Sequence, residues 1–147
     1  MESEGYTLEE SAFISIVNKR VTPAFGEPFQ LNLGVPKFFN SNQGGKNKIA
    51  ITCFISRKGS NDELGAYIYS IIDSRTLKVY QTILNNSSED LLDLTKRLSL
   101  LITKKYKVPS YVSISGDIGV EESMIYIKEV LKNIDESSQA PQEQEIS

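Results

Sequence analysis

Histidine and tryptophan are absent from the 147 residues, and cysteine occurs once, at Cys53. The missing histidine removes the commonest general base and the commonest zinc ligand together, which lowers the expectation of an enzyme. With one thiol and no imidazole, a structural zinc site cannot be assembled from its usual ligands, and an internal disulfide is impossible. No acidic calcium-loop pattern occurs either, so neither a metal nor a cofactor is expected. Long apolar runs are also missing: none approaches the roughly 20 residues that cross a bilayer as a helix. The acidic opening "MESEGYTLEES" lacks the basic and apolar regions of a signal peptide. The expectation is a reducing compartment, cytoplasm or nucleus, with no membrane partner. An excess of positive charge is lacking as well. The net charge of -3 argues against a general nucleic-acid binder, because such proteins cluster Lys and Arg to displace phosphate counterions.

What is present has the balance of one globular domain, with 39% hydrophobic and 24% charged residues in a chain of single-domain length. "AFISIV" (12–17) and "FQLNL" (29–33) alternate apolar with polar residues and read as strands joined by the turn-rich "TPAFGEP". "NSNQGGKNK" (40–48) reads as a polar surface connection, and no "GKS" or "GKT" follows Gly44 and Gly45 to make a phosphate loop. In "KIAITCFISR", Ile49, Ile51, Cys53 and Ile55 project to one side, with Ala50, Thr52, Phe54 and Ser56 opposite. Cys53 thus reads as a small buried hydrophobe rather than a reactive thiol. "AYIYSII" (66–72) has Ala66, Ile68, Ser70 and Ile72 on one face and Tyr67, Tyr69 and Ile71 on the other, both too apolar to be solvated easily. With "LKVYQTIL" (77–84) these strands suggest an antiparallel meander.

The period then changes. Leu91, Leu94, Leu98 and Leu101 recur at three and four residues, Ser87 or Ser88 supplies an N-cap, and carboxylates precede Lys96, Arg97, Lys104 and Lys105 along the helix. The basic later half reads first as a solvated face and second as a partner patch. "YVSIS" returns to strand, and Val120, Met124, Ile127, Leu131 and Ile134 form the stripe of a last helix flanked by Ile125, Tyr126 and Val130. Residues 1–134 are therefore read as one α+β domain, antiparallel β-sheet layers with two C-terminal helices packed on one face. Residues 135–147, acidic and poor in apolar groups, are read as a disordered tail.

"SISGDIG" (113–119) stands at the strand-to-helix junction. Asp117, Glu121 and Glu122 crowd a helix start that a phosphate would need to find positive, and the spacing fits neither the dinucleotide nor the P-loop pattern. It contains no G-x-S-x-G, and no histidine exists to activate Ser113 or Ser115. Asp117 reads as a helix cap, with Gly116 and Gly119 easing the corner. A catalytic function would have to come from carboxylates such as Asp73, Asp117 or Glu121, and nothing in the sequence gathers them.

"DLTKRLSLLITKKYKVPSYVSIS", a short loop and "MIYIKEVLKNI" resemble the carboxy-terminal half of the proteasome assembly chaperone 4 family. The matching residues are Leu94, Lys96, Arg97 and Leu98, then Tyr111, Val112 and Ser113, then Ile127, Lys128 and Glu129. The resemblance implies a non-enzymatic chaperone without cofactors. It would pair as a heterodimer with a related proteasome assembly chaperone 3-type subunit and bind a proteasome α-type subunit, α5, to promote 20S α-ring assembly. The candidate partner interface is then Tyr67, Tyr69 and Ile71, unless the amino-terminal strands cover that face as a second sheet layer. A roadblock- or longin-like trafficking scaffold, which also combines a small sheet with helices and no active site, is the alternative.

Overall fold

A computed structural model describes residues 6–10, 14–37, 49–57, 64–116 and 118–146. Seven strands make one sheet: β1 (Tyr6–Glu10), β2 (Ile14–Val21), β3 (Phe29–Pro36), β4 (Ile51–Arg57), β5 (Ala66–Ile72), β6 (Val79–Asn85) and β7 (Ser110–Ser115). They lie in the order β1-β2-β3-β4-β7-β5-β6, and every pair is antiparallel except β4 with β7. The helices α1 (Glu89–Tyr106) and α2 (Ser123–Ile146) pack on one face, α1 over β5 and β7 and α2 over β2 and β3. The fold is α+β.

The alternation in β4 places Ile51, Cys53 and Ile55 against the helices, fully buried. α1 starts where Ser88 accepts a hydrogen bond from the Leu91 amide at 3.4 Å. It stops at Lys107, which is left-handed (φ 60) and returns its amide to the Thr103 carbonyl at 2.8 Å. Leu91, Leu94, Leu98 and Ile102 enter the core from α1, and Tyr126, Ile127, Val130 and Ile134 from α2.

The architecture corrects the sequence reading in four places. The β4–β5–β6 meander is interrupted, because β7 lies between β4 and β5 and pairs with both. Gly65 permits this closeness: a Cβ there would sit 2.0 Å from the Ile114 carbonyl oxygen. The amino-terminal strands add to the same sheet rather than forming a second layer. The helix stripes are rotated, so that Leu101 and Met124 are exposed while Thr95, Ser99, Thr103 and Asn133 are buried. Finally, α2 continues past Ile134 to Ile146, where the sequence placed a disordered tail. Asp135 is tied in, accepting from Tyr106 Oη at 2.5 Å and from Lys105 Nζ at 3.1 Å.

Hydroxyls fasten α1 to the sheet. Ser70 Oγ lies 2.6 Å from Ser99 Oγ, which lies 2.8 Å from Ser110 Oγ, which lies 2.8 Å from Thr103 Oγ1. Gln81 Nε2 donates into the chain at Ser70 Oγ (3.0 Å) and to the Lys96 carbonyl (2.9 Å). Small side chains let the helix backbone come near the strands, and each of these four hydroxyls has a partner.

Candidate interaction surface on the open face of the sheet

Strand alternation decides what the helix-free face presents. On β5, Ala66, Ile68 and Ser70 are buried beneath α1, which leaves Tyr67, Tyr69 and Ile71 on the opposite side. Register carries that side across the sheet. Tyr69 stands opposite Tyr111 of β7, Tyr67 opposite Ser113, and Ser113 opposite Phe54 of β4. In the other direction Ile71 stands opposite Tyr80 and Tyr69 opposite Thr82 of β6.

The rings form a connected row. Tyr69 stacks on Tyr111 with centroids 4.5 Å apart, Tyr67 meets Tyr111 at 6.4 Å, and Phe54 meets Tyr67 at 5.7 Å. Phe54, Ile71 and Tyr80 are 37%, 40% and 51% exposed, and on β2 Ile16 adds a further exposed aliphatic group. Such a contiguous apolar field is uncommon on an isolated soluble domain. Partial burial, then the neighbouring Tyr111, raises the phenol pKa of Tyr67 and of Tyr69, so both stay neutral near pH 7.

The three interface residues expected from sequence are thus placed together on the face that no described helix covers. Phe54, Tyr111 and Tyr80 belong to the same field without having been singled out. The available signal was parity: each falls on the face of its strand opposite the buried residues. Asp117 lies outside the described residues, as do the Gly44-Gly45 loop and the turn after Arg57. Gly116 does turn the corner, with φ 114, and a Cβ there would lie 2.7 Å from the Arg57 Cβ.

The carboxylates considered for catalysis are not brought together. Asp73 sits in the β5–β6 turn, accepting from the Arg75 amide at 2.9 Å, whereas Glu121 follows the far end of β7. Among the described residues no group of His, Cys, Asp and Glu could hold a metal ion. Cys53 is wholly buried, and burial pushes its pKa up to about 12.

Residues 37–135, about two thirds of the chain, match the family of 20S proteasome chaperone assembly proteins 3 and 4. The chain belongs to this family. No curated protein sequence matches it. Its fold is similar to that of a chain in the crystal structure of a novel chaperone complex for yeast 20S proteasome assembly. That likeness has a TM-score of 0.68 at 16% identity over 85% of this chain and 98% of the other. At that identity it speaks for the fold alone. Family membership makes the chain a proteasome assembly chaperone by descent, the reading its motifs implied, in preference to a trafficking scaffold.

Proposed function

We propose that the chain is one half of a non-enzymatic heterodimeric chaperone. It pairs through its open sheet face with a related proteasome assembly chaperone 3-type subunit, and the pair binds a proteasome α-type subunit, α5, during 20S α-ring assembly. The observation that carries the reading is the aromatic field of Phe54, Tyr67, Tyr69, Tyr111 and Tyr80, over which no described helix or strand packs because both helices occupy the other face. A partner sheet laid on that field would remove it from water and build a two-layer core. The chaperone complex to which the similar yeast chain belongs supports pairing as the working state of this fold.

Co-expression with a chaperone 3-type subunit tests the first step, and sedimentation with an isolated α5-type subunit tests the second. The expected result is a 1:1 complex that takes up the α subunit. A soluble wild-type monomer that binds neither protein would sink the proposal.

A further inference from the structure

At the end of the sheet where β3 begins and β4 ends, the open face changes character. Arg20, Gln30, Ser56 and Ser115 stand in register across β2, β3, β4 and β7, a polar row bordering the aromatic field. A cleft of about 290 Å³ opens there, lined by Arg20, Pro28, Phe29, Gln30, Ser56 and Arg57. Its two cations are not equivalent. Arg57 donates from Nη1 to Glu122 Oε1 at 2.9 Å, and the same oxygen accepts from the Gly119 amide at 3.2 Å, so this guanidinium is neutralised and held. Arg20 is exposed and has no ion-pair partner among the described residues. The cleft therefore carries one uncompensated positive charge beside an amide and a hydroxyl.

We infer that this cleft receives a carboxylate side chain from the sheet face of the paired subunit, and that the contact sets the orientation of one sheet on the other. The inference rests on the pairing proposed above. Aromatic contact is weakly directional, so an apolar field alone would accept a partner sheet in several rotations. A guanidinium at one end breaks that degeneracy. Covered by an uncharged surface it would lose hydration without compensation, whereas a carboxylate can meet its planar fork with two hydrogen bonds. The cleft thus selects partners that place an acid at this corner and rejects those that do not.

The test measures pairing with a recombinant chaperone 3-type subunit by titration calorimetry at low and at high sodium chloride. Arg20→Gln should weaken pairing by about tenfold or more at low salt and flatten its salt dependence. Arg20→Glu should weaken it further, and Arg20→Lys should retain part of the affinity. Each unpaired variant should melt as the wild type does, because Arg20 is exposed. Arg20→Gln or Arg20→Glu proteins that pair with wild-type affinity would overturn the inference, as would a loss that is the same at both salt concentrations. If Tyr67 and Tyr69 substitutions abolish pairing while Arg20 substitutions do not, the pairing surface stands and the carboxylate cleft falls. Failure of the wild type to pair at all overturns both.

Discussion

Ser110 joins two of the three links in the hydroxyl chain beneath α1, touching both Ser99 Oγ and Thr103 Oγ1 at 2.8 Å. Ser110→Ala would withdraw one partner from each in a site with no exposure, at a cost of about 1–3 kcal/mol. Urea denaturation at constant slope should report that loss, and an unchanged midpoint would mean that water replaces the hydroxyl. Cys53 makes a different residue-scale prediction. Its folded pKa of about 12 lies above the ordinary thiol value of 9.0 because burial disfavours the thiolate. The unfolded chain therefore ionises first as pH rises. The stabilisation is complete below about pH 9 and is lost as pH climbs toward the folded value. A thiol reagent at neutral pH should leave the native protein untouched and modify it only in denaturant; rapid native labelling would contradict the burial. Of these two sites, parity in "KIAITCFISR" placed Cys53 among isoleucines, whereas Ser99 and Thr103 on α1 and Ser110 on β7 give no sequence signal of their shared burial. The partners of the helix hydroxyls come from β5 and β7, and a hydroxyl looks the same whether water or a strand receives it.

Among the elements, α1 tests the packing most directly. Leu98 is fully buried at the centre of its inner face, and Leu98→Ala should cost about 2–5 kcal/mol by thermal or chemical denaturation. A near-neutral result would mean that the helix does not dock by this face. At its C-terminus Lys107 holds a left-handed conformation (φ 60) that suits glycine better. Lys107→Gly should therefore be neutral or stabilising by up to about 1 kcal/mol, despite the greater freedom of the unfolded chain. The position of α1 was legible from leucine spacing, but its rotation was not. Counting Leu101 into the stripe treated leucines as the only inward residues, when Thr95, Ser99 and Thr103 turn inward and leave Leu101 outside. The order of strands was hidden for another reason. Local patterns mark β4, β5, β6 and β7 individually, but β7 is inserted between β4 and β5 by contacts distant in sequence, and only Gly65 hints at the close approach. The continuation of α2 was missed because residues after Ile134 lack apolar groups, although Asp135 is held through polar partners on α1.

Among the described residues, the molecule is a sheet with one face covered by its own helices and the other not. That asymmetry was partly readable in "AYIYSII", whose two faces are both apolar, but whether amino-terminal strands would cover the second face depended on sheet topology. Those strands widen the sheet instead, and no described helix or strand lies over the aromatic row. If pairing covers it, stability must rise with partner concentration, because only the folded chain presents the face: a partner at about a hundred times its dissociation constant adds about 2.7 kcal/mol. The wild-type melting temperature should accordingly climb as a chaperone 3-type subunit is titrated in. Replacing Tyr67 and Tyr69 with Ser, singly and then together, should remove that rise. It should leave the circular dichroism spectrum of the unpaired chain intact, since both rings lie on the side of β5 away from α1, against Tyr111 and Phe54 rather than in the helix-covered core. Unfolding of the double variant would instead make these tyrosines part of the domain's own core, and a partner-dependent rise that survives in a folded double variant would move the pairing surface elsewhere.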